Sequence, residues 1–247
     1  MKKIQFLVLV FTFFLLMSPV SISATVLTFD PFFGCNQNIE GVPCNGADLP
    51  QEYGDRVIST SQDGFTYGSD LGFTPNIVVD YGPLGGNFDI WSDRFGDLQW
   101  ALDNNNDAQN SLEISLNADV GYFAVLDSFD LANINQSFVG VDPVPDPYID
   151  IFILGSDDDI LFSAYDIFVQ GETSHTSIDF CTPIISNELQ IILDLSSLGH
   201  RSDNVAIDNV RFGQFPAPAP VPEPATLLLL GAGIGLLGFS KRKKIRK

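Results

Sequence analysis

Between residues 25 and 215, apolar side chains recur in short alternating runs, with no convincing helical period. Leu112, Ile114 and Leu116 alternate with Glu113 and Ser115, the period of a strand with one buried face. The next apolar run, 122–126, follows the turn-compatible stretch 117–121, and this pattern predicts a hairpin. Runs rich in Val, Ile, Phe and Tyr predict further strands near 26–29, 77–81, 88–91, 148–154, 160–169, 189–195 and 205–212. Gly, Asn, Asp and Pro separate them. About ten strands in about 190 residues predict an all-β fold, a single antiparallel jelly-roll-like β-sandwich over 25–215, in preference to two small domains.

The two ends follow a different pattern. Residues 1–24 open with Lys2 and Lys3, continue through an apolar stretch from Ile4 to Met17 and finish at Ile22-Ser23-Ala24, which reads as a cleaved secretory signal peptide with Thr25 as the first mature residue. An uncleaved anchor is the rival reading, but the apolar stretch is shorter than a bilayer-spanning helix needs. At the other end, every second residue from Pro216 to Pro224 is proline, as in an extended spacer. The apolar run 225–239 would cover roughly 22 Å as a helix, so a transmembrane segment over 225–240 spans only with snorkelling flanks. Six basic residues in the tail 241–247 keep that end cytoplasmic, leaving the body outside the inner membrane.

The segment VPEPATLLLLGAGIGLLGFSKRKKIRK resembles the PEP-CTERM sorting signals of Gram-negative bacteria: Pro222-Glu223-Pro224, a glycine-containing apolar helix and a basic tail occur in that order. The resemblance implies recognition and cleavage by an exosortase at the Pro222-Glu223-Pro224 processing motif, transient residence in the inner membrane, and delivery to the cell surface, outer membrane or extracellular matrix of cells that make exopolysaccharide. An ordinary tail anchor behind a proline linker is the alternative. The segment from Asn204 to Phe212, NVAIDNVRF, also resembles the last strand of jelly-roll, galactose-binding-like ectodomains that often precede such signals. That second resemblance implies fold more than ligand.

Charge narrows the partners. All 31 acidic residues lie between Asp30 and Glu223, where only Arg56, Arg94, Arg201 and Arg211 oppose them, so the stretch 25–224 carries a net −27 and contains no lysine. Such a surface repels phosphate backbones, which argues against nucleic acid and favours cations or neutral ligands. In an oxidising compartment Cys35 and Cys44, in a loop with Gly34, Gly41, Pro43 and Gly46, are expected to form a disulfide. Closing that loop of about ten residues would stabilise by roughly 2.5–3 kcal/mol on the chain-entropy model. Cys181 is left over and is expected to pack as a small apolar residue.

Catalytic signatures are missing. His175 and His200 are isolated in sequence, and neither G-x-S-x-G nor H-E-x-x-H occurs, so no catalytic residue is assigned and the chain is read as a non-enzyme. Asp103 to Asp107 begins like a calcium loop, but Ala108 stands where the turn glycine belongs and Ile114 where the bidentate Glu belongs, so it reads as a solvated turn. Asp157-Asp158-Asp159 reads as a hairpin tip. The galactose-binding-like resemblance implies a structural Ca²⁺ between the first and last strands, and the matching acids are Asp30 and Asp208. Tyr53, Tyr67, Trp91 and Trp100 lie in or beside polar, glycine-rich segments and are candidates for stacking on sugar rings, with core packing as the competing role. The functional expectation is a non-catalytic module associated with exopolysaccharide. Its rivals are a purely structural surface protein and a glycan-active hydrolase.

Overall fold

The structure, a computed structural model, describes residues 23–30, 38–39, 42–67, 73–82, 88–92, 94–104, 110–134 and 147–218. Most of the signal peptide lies outside them, as do Cys35, residues 105–109, Pro222-Glu223-Pro224, the apolar run 225–240 and the basic tail. The chain divides into two units, Met1–Phe215 and Pro216–Lys247. Among the described residues no helix is long and apolar enough to cross a membrane.

The first unit is built of strands. In chain order they are β1 (Ser23–Leu27), β2 (Asn38–Ile39), β3 (Val42–Pro43), β4 (Ala47–Asp48), β5 (Ser61–Gln62) and β6 (Phe65–Thr66). β7 (Ile77–Gly82), β8 (Phe88–Ser92), β9 (Trp100–Asn104), β10 (Ser111–Ala118) and β11 (Tyr122–Asn133) follow. β12 (Tyr148–Leu154), β13 (Ile160–Phe168), β14 (Thr176–Ser186), β15 (Glu188–Asp194) and β16 (Val205–Pro216) complete the unit. One sheet runs β14-β11-β16-β9-β8-β4, with β1 also on β16, and the second runs β13-β12-β15-β10-β7. Every strand pair whose register is resolved is antiparallel. The expected all-β sandwich is present.

Alternation places the core between the sheets. On β10 Leu112, Ile114 and Leu116 are buried, on β15 Leu189, Ile191 and Leu193, and on β12 Ile149, Ile151 and Ile153. They meet Leu126, Phe129, Leu131, Ile207, Val210 and Phe212 of the opposite sheet in one cluster.

Several expectations are corrected here. The segment 117–121 is not a hairpin: β10 pairs with β7 and β15, whereas β11 belongs to the other sheet, so the turn is an arch that carries the chain across the core. A strand with two buried-face partners already in place has no free edge for its successor. β9 and β14 were not expected as strands. Asp103 was read as solvated, yet it lies within β9 opposite Asp89 and Ala206, and is buried. β14 is hidden in the sequence by Asp179, Thr182 and Pro183, which an edge strand tolerates because one side of its backbone needs no partner. Cys181 is a free, exposed thiol, not a packed one, because the inward positions of β14 are Ile178, Phe180 and Ile184. The Asp157-Asp158-Asp159 tip is as expected: it joins the antiparallel pair β12 and β13 through a 3-10 turn with Asp157 and Asp158 at φ 61° and 59°.

Candidate functional site

A cleft forms where one edge of β16 passes from one partner to another. β11 runs along the opposite edge, with the Ile134 N–H donating to the Asn204 carbonyl at one end and Phe123 stacked on Phe215 at the other. On the remaining edge β9 pairs through Ala206 and Ile207, while β1 pairs from Val210 to Gln214. Asp208 and Asn209 fall in the gap. Asn209 adopts φ 50°, an irregularity of the kind that re-aims side chains where ladder pairing is interrupted. β1 and β9 diverge here, and the space between them, about 300 Å³, is lined by Thr28, Asp30, Leu98, Gln99, Trp100 and His175 together with Asp97, Asp208 and Asn209. That volume sits at the lower end for small-molecule sites.

A polar network supports the lining. His175 Nδ1 lies 2.7 Å from Asp97 Oδ1, and its Nε2 lies 3.7 Å from Asp130 Oδ1. Asp130 also accepts from the Ser177 hydroxyl at 2.7 Å and the Asn209 amide at 3.0 Å. Gly96, at φ 55°, lets the two loops meet: a methyl there would overlap the Ser174 carbonyl oxygen, and with it the approach of Asp97 to His175 would be lost. Thr28 donates to Asp30 Oδ2 at 2.8 Å. Asp208 is 4% exposed and its Oδ1 accepts from the Asn209 N–H at 2.6 Å. Burial holds its carboxyl well above the usual carboxylate range; the Asn209 N–H opposes this, and the nearby Asp130 and Asp30 reinforce it.

The expected site residues separate into two groups. Asp30, Asp208 and Trp100 line the cleft together. Tyr53, Tyr67 and Trp91 do not. Tyr53 and Tyr67 are 1% and 5% exposed, stacked at 5.2 Å inside the core, where Tyr53 Oη accepts from the Phe29 N–H and donates to the Thr66 carbonyl. Neither ring offers a face to a sugar. Trp91 is 9% exposed, packs with Phe95, Leu98 and Ile134, and has the Arg94 guanidinium 3.7 Å from its ring centroid. Sequence reasoning missed Asp97, Asp130, His175 and Asn209, which are brought together by strands far apart in the chain. Arg211 approaches Asp127 at 3.9 Å.

Chemically, the cleft combines one aromatic wall with carboxylate acceptors. Among the described residues, the Ser177 hydroxyl donates to Asp130 and not to His175, so Ser177, His175 and Asp130 are not arranged as a nucleophilic triad. As for calcium, among the described residues no three His, Cys, Asp or Glu side chains converge as a metal cage, and residues 31–37, which follow Asp30, lie outside the description. Asp30 and Asp208 alone would supply two oxygens.

Residues 220–245 match the PEP-CTERM protein-sorting motif. The chain carries a PEP-CTERM sorting signal. Such a motif implies export and sorting to the cell surface. No curated protein matches the chain. Similar solved structures include the arabinose-bound α-L-arabinofuranosidase MgGH51, at 10% identity and TM-score 0.34 over 78% of this chain and 32% of that one. The family 32 carbohydrate-binding module of C. perfringens NanJ in complex with galactose shows 11% identity and TM-score 0.32 over 56% and 93%. Discoidin II from Dictyostelium discoideum shows 7% identity and TM-score 0.25 over 57% and 62%. The chain spans about a third of the length of the first. With TM-scores of 0.34 or less, none of these three likenesses identifies a ligand for it.

Proposed function

We propose that the protein is an exosortase substrate cut at Pro222-Glu223-Pro224, whose β-sandwich is a non-catalytic module that associates with exopolysaccharide at the cell surface. The observation that carries the sorting half is the motif over 220–245, downstream of a body whose described core runs from Leu27 to Phe212. The glycan half is supported by the cleft, where Trp100 gives an apolar ring and Asp30, Asp97 and Asn209 give groups that bind hydroxyls. In the same reading Asp30 and Asp208 are two oxygen ligands of a structural Ca²⁺, which would relieve their mutual repulsion. The Cys35–Cys44 disulfide belongs to this exported state, and Cys44 is buried in agreement with it.

A glycan array with the body, residues 25–215, run beside polysaccharide-digestion assays, tests the assignment. Binding without turnover supports it. Turnover would make the protein a hydrolase, and silence in both assays would make it a structural surface protein.

A further inference from the structure

The outer face of the five-stranded sheet carries aromatic rings that the cleft does not use. Ile149, Ile151 and Ile153 of β12 are buried, so Tyr148 and Phe152 project from the opposite face. On the edge strand β13, Phe168 lies opposite Tyr148 with their rings 5.4 Å apart, and Tyr165 meets Phe152 edge to face at 5.6 Å. Tyr148, Tyr165 and Phe168 remain 44%, 60% and 45% exposed. The two ring pairs are separated along β12 by roughly 13 Å, four residues at strand rise. Single exposed apolar residues need no explanation, but two aromatic pairs on one exposed sheet face mark a contact surface.

The charges around these pairs select their occupant. The five strands carry six carboxylates, Asp80, Glu113, Asp150, Asp166, Glu188 and Asp194, and neither Lys nor Arg. Asp150 and Asp194 are cross-strand neighbours beside the rings. Each has one oxygen held by a backbone N–H, from Asp166 and Ser196 respectively, at 2.9 Å, which fixes the carboxylate and leaves its other oxygen to accept. A second copy of this chain would set the same carboxylates against each other, and an anionic polysaccharide would be repelled. An uncharged polysaccharide meets both features: the C–H faces of its rings cover the aromatics, and its hydroxyls donate to Asp150 and Asp194.

We propose that this face is an extended platform for a neutral polysaccharide chain, separate from the cleft. The proposal rests on the glycan-associated reading above and adds to it where the chain lies and which charge class it belongs to. Affinity electrophoresis of the exported protein, purified from its own cells, in gels containing galactomannan, xyloglucan or alginate tests it. The protein is expected to be retarded by at least one neutral polymer and not by alginate. Tyr148→Ala/Tyr165→Ala should weaken that retardation about tenfold or more, while Tyr165→Phe, which keeps the ring, should retain it. Both variants should melt with the unmodified protein, since the substituted side chains are exposed. Unchanged retardation of the double variant overturns the platform and leaves the proposed function standing. Absence of retardation of the unmodified protein in both neutral gels overturns both. If sedimentation shows a dimer that the double variant dissolves, the face is a self-association surface and the platform is overturned.

Discussion

Tyr53→Phe tests whether the tyrosine cluster is core and not a sugar-stacking surface. The substitution keeps the ring, and with it the contacts to Phe29, Phe65 and Tyr67 at centroid distances of 5.6, 5.4 and 5.2 Å. It removes only the hydroxyl. The buried Phe29 N–H then loses its acceptor at 3.1 Å, and the Thr66 carbonyl loses a donor at 3.2 Å. An orphaned buried donor costs about 1–3 kcal/mol and a part-buried neutral hydrogen bond about 0.5–1.5, so the loss should be about 2–3 kcal/mol. For a body of this size that corresponds to a fall in Tm of about 4–12 °C. Phe29 sits at φ 49° directly before Asp30, so the same hydroxyl fixes the entry of the chain into the cleft. Differential scanning calorimetry of the body at neutral pH, where burial keeps the Tyr53 phenol un-ionised, reads the effect. An unchanged Tm together with lost glycan binding would refute this placement of Tyr53.

Asp89 is pushed up to about 6 by burial and by the adjoining Asp48. The folded state therefore holds a proton that the unfolded chain has released, so this group's contribution to stability falls as pH rises from about 4 to about 6 and stays low above that. Asp89→Asn should flatten that part of the pH profile and raise stability at pH 7.5 by about 1–2 kcal/mol after solvent screening, as read by denaturant titration at pH 5 and 7.5. In thermal melts, millimolar Ca²⁺ is expected to raise Tm above that in sodium chloride of matched ionic strength, and Asp30→Asn or Asp208→Asn should remove most of the difference; equal melting points would exclude a specific site. Thiol labelling of the unreduced, denatured protein should modify Cys181 alone, and labelling of all three cysteines would exclude the Cys35–Cys44 disulfide.

The sequence was most legible where a strand has one wet face. β10, β12 and β15 announce themselves by alternation because their other face meets water. Alternation does not reveal the partner, and so the turn at 117–121 read as a hairpin although β10 and β11 lie in different sheets. β9 was hidden by its own chemistry: Asp103 and Asn104 look solvated, yet both are buried in the sheet between β8 and β16. Asp30 and Asp208 could be paired because first and last strands adjoin in the fold the chain resembles. The His175 contacts could not, since Asp97 is 78 residues away and only the approach of two loops across Gly96 brings them together. Local composition also misled for Tyr53 and Tyr67, whose glycine-rich and polar neighbours form turns that fold the rings inward.

Intact-mass and C-terminal peptide mass spectrometry of the protein released from its own cells tests the central claim, that this is an exported sandwich sorted through its C-terminal signal. The account predicts a chain that begins at Thr25 and ends near Pro222-Glu223-Pro224, without the apolar run or the basic tail. A main species that still ends at Lys247 would contradict it.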